Sequence, residues 1–414
     1  MNRQQSLPPF TVMESALRRT TEHLARELHT PGLAAPEWNE FEWSVARAVS
    51  SMQGITVLLA NRLRWRGPDS WQEFLVAQRT LAITRDARIE ALLTRIDAAM
   101  HAAGVACIAL KGAALRKLAL YRSGERPMGD VDLLVLPRDM ERVARIMRGL
   151  DYALAFEMRR HTVYAPRTGV TTVHRGEHPD NALKIEIHTR VAEALPVEPV
   201  EISTAWLDVT TRPGIAPYPE VIELMRHLLL HAAGNMRAHA LRQIQLHDIA
   251  LLAAKLTVAD WRRLLNTPDT LGGAWWMLPP LALTEQYFPG TLAPSLLAQF
   301  GARCPPLLRH RASRTTLTGV SWSNLRIAAF PGIHWSRSPR EALRFARARI
   351  FPNRVALDEL AICATAQPAL EQAGWYGISH FRRILRWAYG RPPRAQTVMS
   401  LQAELTAGNA SLNV

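Results

Sequence analysis

The chain has 414 residues, 48% of them hydrophobic and 21% charged, a composition that predicts two or three folded domains and excludes a largely disordered protein. Its charge is unusual: 50 Lys+Arg against 36 Asp+Glu give +14 and an isoelectric point near 10.5, which points toward a polyanionic partner such as nucleic acid, nucleotide phosphates or an anionic surface. Three widely spaced cysteines, Cys107, Cys304 and Cys363, exclude a disulfide framework and a Cys-x-x-Cys metal site, and suit a reducing compartment.

The first residues lack the apolar core of a signal peptide, and no apolar run approaches the roughly 18 residues of a membrane span, so a soluble, cytoplasmic protein is expected. Residues 1–100 read as an N-terminal helical region, with three- and four-residue apolar spacing over 13–29, 40–65 and 70–104. At residue 105 the texture changes. Short apolar runs at 105–110, 131–136, 152–157, 171–174 and 183–188 predict strands, with helices at 113–121 and 138–149 between them. Residues 101–205 are therefore expected to form a small mixed β-sheet core. A helical domain follows over 206–300, with periodic segments at 219–234 and 240–256, and then a basic C-terminal helical region over 301–414. The fold class this order predicts is α+β, a sheet core flanked on both sides in sequence by helices.

The chemistry concentrates in VACIALKGAALRKLALYRSGERPMGDVDLLVLP, residues 105–137. Strand alternation puts Asp130 and Asp132 on one face, about 6 to 7 Å apart, with Val131 and Leu133 on the other. A bare Asp-x-Asp is a common strand-start feature, but acids flanked by DVDLLVL are costly to bury unless they bind something. In LKIEIH, Glu186 shares a face with Lys184 and His188. Two acids on one strand and a third on a neighbour make a cage for two Mg²⁺ ions, with Mn²⁺ as an alternative, that would hold a nucleoside triphosphate (NTP). Lys111-Gly112 supplies the complementary part, because glycine lets backbone approach phosphates and a helix start favours anions. Lys111 is one of only four lysines among the 50 basic residues, and it suits a point-charge phosphate ligand. Arg126 is a candidate for a second.

The runs LKGAAL, LYRSGERPMGDVDLLV and, about 50 residues on, IEIH resemble an uncharacterised bacterial nucleotidyltransferase family, whose pattern is Leu-Lys-Gly-x-Ala-Leu, Tyr, Arg-Pro and Asp-Ile-Asp-Leu-Leu-Val. The resemblance implies a polymerase-β-like core and transfer of a nucleoside monophosphate from an NTP to an acceptor hydroxyl, with release of pyrophosphate. It carries phosphate contact onto Lys111, Gly112 and Arg126 and metal ligation onto Asp130 and Asp132, with Glu186 as the third acid. The chain departs from the pattern in having glutamate where aspartate is frequent, Thr189 after His188, and Gly234-Asn235 where a further histidine often stands. Alternatives are an inactive scaffold of the same fold in a peptide or polysaccharide pathway, and a toxin-like enzyme that modifies tRNA.

Accessory candidates are His174 and His188, beside the acids, and Asp248, which either caps a network to the core or is solvated. His227 and His231 share a helical face and read as packing residues, as do Trp38, Trp43, Trp65 and Trp71 in their helices. No phosphate-binding Gly-x-x-x-x-Gly-Lys-Ser/Thr loop and no Gly-x-Ser-x-Gly nucleophile motif occurs. Residues 301–414 hold 16 arginines, no lysine and five acids, a net +11 that leaves +3 for the first 300 residues. The basic charge thus belongs to the tail, where an anionic acceptor, RNA or a partner protein is expected to bind.

Overall fold

A computed structural model describes residues 7–158, 160–168, 176–208, 210–269, 272–354, 356–358, 361, 379–389 and 393–410. Four helices come first: α1 (Phe10–Glu27), α2 (Glu40–Gln53), α3 (Thr56–Arg62) and α4 (Asp69–Ala102). The Asn39 carboxamide and the Glu42 carboxylate cap α2 reciprocally. The single helix expected over 40–65 is two, because Gly54 turns left-handed (φ 69°) and ends α2. Helix α4 buries one stripe, Trp71, Leu75, Ala82, Arg85, Ile89, Leu92, Ile96 and Met100.

The sheet core follows: β1 (Ala106–Ala109), α5 (Lys111–Lys117), β2 (Asp130–Val135), α6 (Met140–Gly149), β3 (Tyr152–Glu157), β4 (His161–Pro166) and β5 (Lys184–His188). Three short strands then lead to α7 (Val221–Ala238) and α8 (Gln243–Ala253): β6 (Ala192–Ala194), β7 (Pro199–Glu201) and β8 (Gly214–Ala216). Among the described residues the main sheet has six strands in the order β3-β4-β5-β2-β1-β8, while β6 and β7 pair separately. It is mixed: β2 runs parallel to β5 and antiparallel to β1, and β4 runs antiparallel to both β3 and β5. The fold is α+β, with helices flanking the sheet core.

Each sheet face has its own cover. Val131, Leu133, Val135, Ile185 and Ile187 pack on Ile89, Leu92, Ile96 and Met100 of α4 and on Val143 and Met147 of α6. The opposite face, which carries the acids, belongs with α5 and α7. A larger apolar cluster joins α1–α3, α7, α8 and later helices, and reaches Trp335 and Leu401. Trp38, Trp43, Trp65 and Trp71 pack together with successive ring centroids 4.9, 6.0 and 6.4 Å apart, although Trp38 and Trp65 stand in loops rather than helices. Strand β4 and the short β8 are elements the apolar pattern did not predict, whereas the strand expected at 171–174 lies outside the described residues. Among the described residues no helix is long and apolar enough to cross a membrane.

Candidate active site

The parallel β2–β5 pairing sets Asp130 opposite Lys184, Asp132 opposite Glu186 and Leu134 opposite His188. Side chains of paired residues project to the same face, so Asp130, Asp132, Glu186 and His188 converge there. Glu186 and Asp130 are within hydrogen-bond range of each other. Asp132 Oδ1 accepts from Lys111 Nζ at 2.7 Å and lies 2.9 Å from His188 Nε2.

The three carboxyls respond differently to this crowding. Burial would raise Asp132, but Lys111 and His188 hold it well below the usual carboxylate range. Burial and the Asp132 charge raise Asp130, against Lys111 and Arg242. Burial, then Asp130 and Asp132, push Glu186 up to about 8. Burial works against the Lys111 ammonium, but Asp132 and Asp130 outweigh it and raise that group to about 12. Three carboxyls crowded beside Lys111 and Arg242 cannot all ionise without mutual repulsion in a poorly solvated place, the condition a divalent cation relieves.

Lys111 itself has φ 49°, in the left-handed region that a non-glycine residue rarely occupies. Such strain persists only where surroundings enforce it. The enforcing contacts are visible: Lys111 Nζ is tied to Asp132, and the Lys111 backbone bonds the phenol of Tyr218, which is also 2.7 Å from His227 Nδ1. Helix α7 thereby holds the turn through a buried histidine.

Gly112 and Arg126 lie together. A Cβ on Gly112 would come 2.4 Å from Arg126 Nη1, so the missing side chain is what admits the guanidinium. Arg126 donates to Asp248 through Nε (2.9 Å) and Nη2 (2.6 Å), and Tyr121 adds its hydroxyl at 2.6 Å. Asp248 is buried, and the solvated alternative for it is corrected: it anchors α8 to the segment between α5 and β2. His174 lies outside the described residues.

Two residues near the acids carried no motif. Arg85, in the buried stripe of α4, donates to the carbonyls of Met128, Gly129, Asn181 and Ala182, and its Nε lies 3.4 Å from Glu177. It clamps the segments that lead into β2 and β5, which fixes the register of the acids. His161 faces His188 across β4–β5, with ring centroids 5.2 Å apart. Burial and His188 push its pKa down to about 4.

Two cavities flank the acids. One, of about 140 Å³, is lined by Gly129, Arg85, Gln78, Glu177 and Arg242. The other, of about 240 Å³, lies between β4–β5 and α7 and is lined by Lys111, His161, Glu186, His188, Glu193 and His231. There Glu193 is held by Arg160 Nη1 at 2.6 Å and lies 3.7 Å from His231. Gly234 makes room for its carboxylate, which a Cβ would approach to 2.6 Å.

Residues 39–289, more than half of the chain, match the profile of a family described as uncharacterised nucleotidyltransferase. The chain belongs to that family. Comparison with curated proteins and with solved structures returned no match. The matched span takes in α2, the whole sheet core and α7–α8, hence both the acids and the Arg126–Asp248 anchor of this nucleotidyltransferase family member.

Proposed function

We propose that the protein is a metal-dependent nucleotidyltransferase. An acceptor hydroxyl attacks the α-phosphorus of an NTP, a phosphate ester bond forms, and the bond to pyrophosphate breaks. The observation that carries this reading is the placement of Asp130, Asp132 and Glu186 at adjacent positions of paired strands, with Glu186 raised to about 8 by its acidic neighbours. All-oxygen donors on a rigid sheet fit hard divalent cations. Two Mg²⁺ ions, or Mn²⁺, when bound would neutralise phosphate charge and lower the pKa of the attacking hydroxyl.

The chain's own residues do the rest. Asp130 and Asp132 hold the cations, and Glu186 completes the set on the acceptor side and accepts the hydroxyl proton. Lys111 and the Gly112 amide hold the phosphates, acting by position and charge. Arg126 adds its charge from its seat on Asp248. The tail, which exposes Arg340, Arg347, Arg382 and Arg386, is proposed as the cationic docking surface for an anionic acceptor or partner.

One observation favours the scaffold alternative: Lys111 Nζ and His188 Nε2 both lie on Asp132 Oδ1 and would serve a cation-free site equally well. Incubation with Mg²⁺, α-labelled or γ-labelled NTP and fractionated lysate separates the readings. Transfer of the α-label alone, abolished by Asp130→Asn with Asp132→Asn, is the expected result. Transfer of the γ-label, or no Mg²⁺-dependent NTP binding by calorimetry, would overturn it.

A further inference from the structure

The larger cavity holds two donors that the carboxylate cage does not use, His161 and His188, beside one that it does, Glu186. His161, Glu186 and His188 each offer one ligand atom, all within 4.8 Å of one another. Glu186 Oε2 lies 3.8 Å from His161 Nε2 and 3.7 Å from His188 Nε2. All three side chains are at least four-fifths buried, at 19%, 20% and 12% exposure. Their arrangement is built into the sheet, since Glu186 and His188 alternate on one face of β5 and His161 is the direct cross-strand neighbour of His188.

We propose that His161, Glu186 and His188 form a second cation site, of mixed imidazole and carboxylate type, for a borderline divalent ion of the Zn²⁺ class. A tetrahedral ion at about 2.0–2.2 Å from nitrogen and oxygen ligands needs them about 3.4 Å apart. The two separations from Glu186, 3.8 and 3.7 Å, are a few tenths of an ångström longer, and the two imidazoles offer nitrogens within 4.8 Å of each other, differences that side-chain rotation closes. Two imidazoles with one carboxylate and an open side are a recurrent set for first-row transition ions, whereas Mg²⁺ takes oxygen ligands and keeps its waters. The cavity supplies the open side. An ion here engages His188 Nε2, which also lies 2.9 Å from Asp132 Oδ1.

The consequence rests on the nucleotidyltransferase reading: Glu186 belongs to both sites, so an ion held by the histidines withdraws it from the Mg²⁺ cage. Zn²⁺ is then an antagonist of Mg²⁺-dependent NTP use, relieved by chelation.

The test uses the full chain and Co²⁺, whose visible absorption reports imidazole ligation, followed by Zn²⁺ competition for the same signal. The expected result is one Co²⁺ per chain, displaced by Zn²⁺. His161→Ala and the milder His161→Gln should each weaken it by about tenfold or more, while Asp130→Asn retains it. Unchanged Co²⁺ spectra and affinity in His161→Gln, with thermal unfolding as in the parent, would overturn the site. The two readings fail separately. Co²⁺ binding that depends on His161, without Mg²⁺-dependent NTP binding, upholds the site and removes the activity; the converse pattern removes the site and keeps the activity.

Discussion

Asp132 and Asp248 are both buried beside a basic side chain, but they live in opposite kinds of surroundings. Asp248 accepts from Arg126 through two nitrogens and from the Tyr121 hydroxyl, so charge and hydrogen bonds close on themselves. Asp132 is tied to Lys111 and His188, yet shares its ground with Asp130 and Glu186, whose pKa values are pushed up. The closed cluster is a joint between α8 and the segment that joins α5 to β2. The open one holds acids that resist ionising together, as a receptor for cations would. Predictions that separate stability from function therefore divide along this line.

The largest effects belong to the open cluster and to activity. Asp130→Asn with Asp132→Asn should remove NTP turnover by more than about 100-fold, since loss of outer partners of a metal already costs about 10–100-fold. Asp130→Asn alone should raise the melting temperature of the metal-free protein while it abolishes Mg²⁺-dependent NTP binding, because it relieves repulsion among the three carboxyls. A drop in melting temperature would show that the acids are structural.

The closed clusters should behave in the reverse manner. Asp248→Ala leaves the Arg126 guanidinium buried without its carboxylate and should destabilise the fold by about 3–5 kcal/mol, read by denaturant unfolding. Arg85→Ala should act through position. It frees the carbonyls before β2 and β5, so loss of NTP binding should accompany a comparable loss of stability, and Arg85→Lys should not restore it, because one ammonium cannot span carbonyls of two segments.

Gly112 sits where the two kinds of cluster meet. A Cβ there lies 2.4 Å from Arg126 Nη1 and 2.9 Å from Met128 Sδ, so Gly112→Ala must displace the guanidinium or the turn. A loss of about 1–3 kcal/mol is expected. NTP binding should fall too if the turn holds phosphates; unaltered binding in a destabilised protein would leave Gly112 a packing residue only.

Much of the open cluster was legible because it is local. Alternation within DVDLLV and KIEIH assigned Asp130, Asp132 and Glu186 to strand faces, and the apolar runs around them marked β1, β2, β3 and β5. The closed clusters were legible only as isolated residues, Arg126 and an Asp248 that caps a network, and not as pairings, because the partners are remote: Arg126 and Asp248 are 122 positions apart, and Arg85 reaches carbonyls 43 to 97 positions away. Carbonyl acceptors have no signature in sequence at all. His161 was missed for a different reason, since HTVYAP ends in a proline and is short, and only its pairing with β5 makes it a strand. The signal within it was the Thr-Val-Tyr run, of high strand propensity.

The smallest expected effect is a pH dependence that reads the open cluster directly. Glu186 titrates near 8 in the fold and near 4.5 when unfolded, so between these values the unfolded chain has released a proton that the folded one keeps. Stability therefore falls as pH rises toward 8, by at most about 1.4 kcal/mol per unit, and levels off above it. Below about 6.5 the buried histidines oppose this slope. His161, lowered to about 4, and His247, lowered to about 3, stay neutral in the fold while the unfolded chain gains protons, so they weaken the fold as pH falls. The clean window is pH 6.5 to 8, where melting temperature without metal should decline in the parent and stay flat in Glu186→Gln. Added Mg²⁺ should restore the parent most at the upper end, where the carboxylate is ionised and the cation has most repulsion to relieve. A slope that persists in Glu186→Gln would assign it to other groups and remove the carboxyl repulsion on which the comparison with Asp248 rests.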